Sequence, residues 1–481
     1  MDNKAIVFPY KNAQARLNNY SKYDKLFDGK HFEAFSIEIN SLQYTQNYAK
    51  LKYVAVNFAG LISKVSADML AGEPIVLTGS NKEQTEWLKN LAFENSLHTQ
   101  LYESALKNSA RGDAIFKVRS GPKNPGDAIS TVFIEDITPS IYFPMVNPGN
   151  WRAQPEYQEL AFMVTIGKDE YIRIERHYPG KIVNELWEFK DKALYRKAPL
   201  ALYDPTLEEE QETGIDRSLI IHVPNWRAGD FYGVSDYHDI EALMYAVNNR
   251  MTKNENILDK HSDPILALPE GVLDEKGNIR KDKLQLFTIP DNEMGSKPAK
   301  PEYITWDASL DNSFKQIDRL IEFLYMTSET SPAVFGMDKQ GAAESGRALK
   351  LRLMRTIAKI NRKKLYYDQG LKEAIYVAQL LAKKHGYEVM GKKLPGEPEV
   401  PNITWADGLP IDEAELIENE GKRLDQGTES KTDAIMKLDG LEREDADKKR
   451  KRITEENGVA VPVGTVPNIG GDNGGSGNGE A

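Results

Sequence analysis

The chain has 481 residues, with 62 Lys and Arg against 73 Asp and Glu, a formal net charge of −11, and no cysteine. That length is too great for one core and predicts roughly two to four structural units. The absence of cysteine excludes disulfides, thiolate catalysis and cysteine zinc sites, and the acidic balance argues against a tight nucleic-acid binder, whose affinity comes mainly from neutralised phosphates. No apolar run approaches the ~20 residues that span a bilayer, and "MDNKAIVFPYKNAQARLNN" lacks a signal peptide's apolar stretch, so an intracellular, membrane-free protein is expected. The seven histidines form no H-x-x-x-H pair and are expected to be structural.

Up to about Asn225 helices and strands are mixed. In "YAKLKYVAVNFAGLISKVSADML", Val54, Phe58, Leu61, Val65 and Met69 recur at helical spacing, and Gly72 and Pro74 close the run. "PIVLTG" reads as a strand entering a turn, and "QTEWLKNLAFENSLHTQLYESALKNSARG" as two short amphipathic helices. After Gly112, the alternation in "DAIFKVRS" begins a series of strands: "STVFIEDI", "LAFMVTI", "EYIRIERHY", "VNELWEFK" and "ALYRK". Turns such as "NPGN" and "YPGK" separate them, which predicts an α+β domain with antiparallel pairing.

"GVSDYHDIEALMYAVNNRMTKNENILDKH" predicts a helix over Asp236–Asp259, capped by Ser235 and ended by Pro264. Its stripe is Ile240, Leu243, Met244, Val247, Met251 and Leu258. About forty residues of strand-and-turn character follow, with "LQLFTI" as a strand. A second helix, Ser313–Ser328, places Phe314, Ile317, Leu320, Ile321, Leu324 and Tyr325 on one face. Next comes "ETSPAVFGMDKQGAAESG", bent by Pro332 and loosened by Gly336, Gly341 and Gly346. From Gly346 to His385 the apolar positions hold a helical period, a rod of roughly 60 Å with Gly370 as its expected kink. "ITWADGLP" reads as strand and turn, two acidic helical stretches follow, and the Gly/Asn-rich end "NIGGDNGGSGNGEA" is expected to be disordered.

Catalytic signatures are missing from the sequence: there is no G-x-x-x-x-G-K-[ST], G-x-S-x-G, H-E-x-x-H or EF-hand pattern. No catalytic, cofactor or metal-binding residue is assigned. "RGD" at Arg111–Asp113 precedes a strand and is read as a turn, "NIT" at Asn402 as idle, and "KKRKR" at Lys448–Arg452 as a solvated helix face. Between Arg347 and Lys364 lie eight basic residues and no acidic one; Arg347, Lys350, Arg352, Arg355, Lys359 and Arg362 mark the run. Two readings of it stand level: a face pairing with acids of a neighbouring subunit or domain, or positive charge beside a polyanion.

The order of parts resembles the portal proteins of long-tailed bacteriophages. The likeness rests on "YDKLFDGKHFEAF", "VNFAGLISKVSADMLAGEPIVL", "GDAIFKV", "YGVSD", "ETSPAVFGMDKQGAAESGRALK" and "SKTDAIMKLDGLEREDADKKRKRITEE", in that order, over all but the glycine tail. The resemblance implies a ring, of twelve subunits, at one capsid vertex. Through it double-stranded DNA is packaged by the terminase motor and later ejected, and the ring nucleates capsid assembly and docks the head–tail connector.

The portal-protein fold so implied has an α/β wing (1–232), stem helices (233–260 and 307–328), a strand-containing clip (261–306) and a tunnel loop (329–345). A long wing helix with return strand (346–408), a helical crown (409–458) and a disordered tail (459–481) complete it. Implied partners are further copies of the chain, the terminase large subunit, the connector, and the capsid and scaffolding proteins. DNA would pass without sequence-specific contact, and the protein would reside in the virion after assembly in the host cytoplasm. Val334, Phe335, Met337, Asp338, Lys339, Gln340 and Gly341 would line the channel, and Asp274, Glu275, Lys276, Asn278 and Arg280 would form the docking surface of the clip. Twelve acidic copies, roughly −130 in total, would repel the phosphate backbone and favour sliding. The rivals are a scaffold without an axial channel and a metal-dependent nuclease using Glu135 and Asp136.

Overall fold

The computed structural model describes residues 5–41, 53–124, 130–262, 265–267, 302–304, 310–337, 346–406, 408, 413–441 and 443–458. The chain divides into two compact units, Met1–Gly408 and Leu409–Ala481. In the first, helices α1 (Gln14–Phe27), α2 (His31–Ala34), α3 (Ser36–Ser41) and α4 (Phe58–Ala71) precede strand β2 (Val76–Thr78) and helices α5 (Lys82–Glu94) and α6 (Leu97–Arg111). A short strand, β1 (Ile6–Val7), lies ahead of them. Gly112 ends α6 at φ 92°, and a side chain there would strike the Gly233 carbonyl oxygen at 2.8 Å. The RGD tripeptide is therefore an internal helix-to-strand turn. Its Asp113 is buried, accepting hydrogen bonds from Tyr20, from His222 Nε2 at 2.6 Å and from the Gly233 amide at 2.8 Å.

The alternating segments become strands β3 (Asp113–Pro122), β4 (Ser130–Ile137), β6 (Gln158–Ile166), β7 (Asp169–Tyr178), β8 (Lys181–Lys190) and β9 (Ala193–Ala198), and a short unpredicted strand, β5 (Tyr142–Pro144), falls between β4 and β6. With β10 (Glu210–Glu212) and β11 (Ile220–Pro224) they form two sheets. One runs β1-β9-β8-β7-β6-β5 with β10 on β8; the other runs β11-β3-β4, and every pairing is antiparallel. This is the expected α+β organisation.

The helical core joins distant parts of the sequence. Leu26, Phe35, Ile62, Tyr237, Ile240, Met244, Val247 and Leu324 are buried in one cluster. It draws α7 (Glu241–Ser262) and α8 (Asp311–Thr327) against α1 and α4. The helix α7 starts five residues after the predicted Asp236, so Ser235 is not its cap. Ser235 Oγ instead donates to the Ala110 carbonyl and accepts from the Tyr237 amide at 3.0 Å. Tertiary contacts override the local helix signal there: Tyr237 donates its hydroxyl to the Ala59 carbonyl at 3.0 Å, and Asp236 is held among lysines. Not every position of the predicted stripes reaches the core: Leu61, Leu258 and Phe314 are exposed.

The long helix α9 (Gly346–His385) is continuous over 40 residues. Gly370 does not break it. A Cβ at Gly370 would lie 2.3 Å from Val223 Cγ2, so the glycine lets the helix backbone approach β11. Beyond α9, Gly386 turns the chain into a small hairpin, β14 (Glu388–Val389) with β15 (Lys392–Lys393), and β16 (Asn402–Thr404) returns to pair with β2. The Asn402 tripeptide thus lies in a strand. Strands β12 (Ile265–Ala267) and β13 (Glu302–Ile304) pair with each other. Asp274, Glu275, Lys276, Asn278, Arg280, the 284–289 strand, Pro264 and the tail from 459 lie outside the described residues.

The second unit contains α10 (Glu413–Asp425), α11 (Lys431–Asp439) and α12 (Arg443–Gly458). Ser430 caps α11 by accepting from the Asp433 amide at 3.1 Å. The basic run of α12 is a charge-balanced surface: Lys448 pairs with Asp445, Lys449 with Asp439 and Arg450 with Asp447.

Candidate functional site

Where α8 ends, the chain turns through Ser328–Ser331 and enters a short 3-10 turn, Pro332–Phe335. This is the first half of the stretch predicted to be loose, and it is anchored. Glu329 has φ 55°, a conformation that L residues seldom adopt, and the neighbouring bonds hold it. Thr356 on α9 donates to the Glu329 carbonyl at 3.0 Å and accepts from the Ser331 amide at 2.9 Å. One turn on, Lys359 donates to the Ser328 carbonyl at 2.9 Å. The Glu329 carboxylate bridges Arg355, at 2.5 Å, and Arg362. Residues 355, 356, 359, 362 and 363 recur at helical spacing, so one side of α9 grips this base.

Beneath it lies a buried charge cluster. Asp236 accepts from Lys363 at 2.5 Å and stands 3.3 Å from Lys359, with all three side chains less than a tenth exposed. Ser109 and Asn225 donate to the same carboxylate at 2.6 and 3.0 Å, and Lys363 also reaches Ser66. Burial alone would raise the Asp236 pKa, but the two ammoniums outweigh it and hold the carboxyl far below its ordinary range. Burial, with Lys359 adding to it, pushes Lys363 down to about 8, although Asp236 opposes the shift. The directions are compatible because one carboxylate serves two ammoniums. A cleft of about 440 Å³ opens beside the cluster, lined by Asp236, Glu329, Lys359, Arg362 and Lys363 among others.

Of the predicted basic run, Arg355, Lys359 and Arg362 therefore meet acids of their own chain. Lys350 is exposed and Arg352 half-buried, and the Arg347 side chain is outside the described residues. Phe335 packs against Tyr325, ring centroids 5.7 Å apart, at the edge of the helical core; Val334 is half-buried and Met337 exposed. Asp338, Lys339, Gln340 and Gly341 lie outside the described residues. Sequence reasoning missed Asp236, Glu329, Thr356 and Lys363 as a set. The one available signal was the lack of acids between Arg347 and Lys364, which requires counter-charges from elsewhere.

The acids of the nuclease reading are separated by strand alternation. Consecutive on β4, they point to opposite faces, Glu135 pairing with Arg119 and Asp136 with Lys107. Among the described residues, no three His, Asp or Glu side chains are grouped to hold a metal. No helix of the described residues is long and apolar enough to cross a membrane.

The family model for phage portal proteins of the SPP1 Gp6-like type matches residues 9–459. The chain belongs to that family. The match includes α8 before the anchored turn, the long helix α9 that follows and grips it, and the helices of the second unit. Two solved structures are similar to this portal-family chain at 11% identity. The virion of a native gene transfer agent particle gives a TM-score of 0.44, covering 84% of this chain and 94% of that one. The neck of an empty gene transfer agent particle, computed with C6 symmetry, gives 0.46, covering 84% and 95%. No curated protein matches the chain.

Proposed function

We propose that this chain is the subunit of a portal ring at one vertex of a phage capsid, and that duplex DNA is packaged and ejected through the ring's axial channel. The observation that carries the reading is the family match over residues 9–459. On this reading α7 and α8 are the stem, 261–306 is the clip that meets the terminase and later the connector, and 409–458 is the crown. The loop ending at 345 borders the channel. Capsid and scaffolding proteins surround the ring, and the chain itself performs no catalysis.

The anchored turn supports a physical account of the loop. A conduit must close around DNA without gripping phosphates, because six to ten fixed contacts would give a strong, salt-dependent hold. Arg355 and Arg362, beside the loop base, are already engaged by Glu329. The exposed group at the last described loop position, Met337, is uncharged. Val334 through Gly341 would then border the channel from a base fixed to α9, with Lys339 making transient phosphate contact.

Negative-stain microscopy of the purified chain tests the reading: rings with a stain-filled central hole are expected. A monodisperse monomer, alone and in assembled particles, would rule it out.

A further inference from the structure

A second cleft, of about 550 Å³, opens between β11, the middle of α9 and the turn at Trp151. The close approach at Gly370 forms part of its wall, and the volume is in the range of small-ligand sites. We propose that this cleft binds inorganic phosphate or a small phosphate monoester.

The first observation is an arginine without a carboxylate. Arg111 pairs with Asp24, Arg119 with Glu135, Arg176 with Glu159 and Glu185, and Arg217 with Glu373. Arg227 is half-buried and, among the described residues, has no acid within ion-pair distance. Its Nε donates to the Phe231 carbonyl at 3.1 Å, and its guanidinium carbon lies 5.4 Å from the Trp151 ring and 5.5 Å from the Phe231 ring. Arg152 stands 5.0 Å from the same indole. Burial lowers the Arg227 pKa, so an anion placed there would offset a real desolvation cost.

The second observation is independent. His222, also lining the cleft, has a side chain only 4% exposed, with Nε2 2.6 Å from Asp113 Oδ1. That contact assigns the Nε2 hydrogen to the carboxylate and leaves Nδ1, which has no hydrogen-bond partner among the described residues. The ring is fixed between Tyr142 and Phe231, at centroid distances of 5.7 and 4.7 Å, so it cannot turn away. Imidazole and guanidinium therefore rest on one Phe231 ring.

A phosphate monoester suits this pair. Its oxygens accept from the guanidinium fork, and its one titratable hydrogen can reside on a phosphate oxygen or on Nδ1, completing the same hydrogen bond in either case. A metal cation would face the guanidiniums of Arg152, Arg217 and Arg227, which outnumber the lining carboxylates Asp216 and Glu373. The phosphodiester of DNA lacks the titratable hydrogen, so the cleft distinguishes small phosphates from the genome.

Isothermal titration of the full-length chain with inorganic phosphate and with AMP tests the assignment. Saturable binding is expected, weakened about tenfold or more in Arg227→Gln, and also weakened in His222→Gln. Binding should be unchanged in Arg319→Gln, whose guanidinium is exposed on α8. Circular dichroism confirms that the buried His222 variant is folded, and Arg227→Lys should retain part of the affinity. AMP binding as tightly as phosphate identifies an ester as the ligand, and weaker AMP binding identifies free phosphate. The proposal is overturned if no saturable heat appears, if Arg227→Gln binds normally, or if a short duplex DNA displaces the phosphate. None of these outcomes depends on ring formation.

Discussion

Asp236 concentrates more buried charge than any neighbouring side chain in the loop-base site, and its replacement tests the site directly. Asparagine would keep a single acceptor oxygen, enough for only one of the Ser109 and Asn225 donors, which address different oxygens of the carboxylate, and would leave the Lys359 and Lys363 ammoniums without their shared negative charge. Breaking a buried pair from one side costs about 3–5 kcal/mol, so the urea midpoint of Asp236→Asn should fall accordingly at pH 7. The pH dependence separates the members. The depressed Asp236 pKa contributes stability that is complete above the unfolded value of about 4 and is lost as pH falls through the folded value. Lys363 acts on the alkaline side with a slope of the same sign. Its folded pKa of about 8 lies below the ordinary 10.5, so between those values the unfolded chain binds more protons and stability rises with pH. Lys363→Met should remove that rise, read as the difference between the two stability–pH curves; parallel curves would mean that the ammonium is not buried as described. The lysines were visible in the sequence as a basic run, but their partner was not. Asp236 and Lys363 are 127 positions apart, and only the packing of α9 over the segment that precedes α7 brings them together.

At the scale of elements, periodicity was a good guide where one face of a segment meets one core, as in α5, α6 and strands β3, β4 and β6 to β9. It failed where a distant contact took over. The apparent N-terminal turn of α7 is lost because Ser235, Asp236 and Tyr237 bond to α6, α9 and α4. The hairpin β14–β15 carried a readable signal that was passed over: Met390 and Gly391, at φ 49° and 74°, make a two-residue turn of the kind that suits antiparallel strands. Gly370 was noticed as a kink site, but its close approach to Val223 was not legible, since sequence does not show what a glycine faces. Gly370→Ala should therefore destabilise by overpacking, about 1–3 kcal/mol by denaturant unfolding, and Val223→Ala in the same chain should recover part of the loss. Additive single effects would contradict the close approach. Thr356→Val tests the other junction. It deletes a donor and an acceptor together, so amide exchange at Ser331 should accelerate while exchange in the sheets stays unchanged.

For the whole molecule, the question is what the anchored turn would do if, as proposed, it carries a loop that borders a DNA channel. The clamp has two layers of different strength. Thr356 and Lys359 hold the backbone from partly or fully buried positions, whereas Arg355 and Arg362 hold the Glu329 carboxylate while being 70% and 49% exposed. Exposed ion pairs contribute little to global stability, so Arg355→Gln with Arg362→Gln should shift the unfolding midpoint by no more than about 1 kcal/mol and leave ring formation intact. Its effect should be local. Without its cations, Glu329 has less to hold it at φ 55°, and the 331–335 turn should exchange faster in hydrogen-exchange mass spectrometry. If that turn fixes the entry angle of a channel loop, particles assembled with the double variant should retain less nuclease-protected DNA than wild type. The same exchange data make the test decisive. A loosened turn with undiminished genome retention would separate the anchored base from any part in holding DNA, and would leave the buried cluster as a purely architectural joint between α7, α8 and α9.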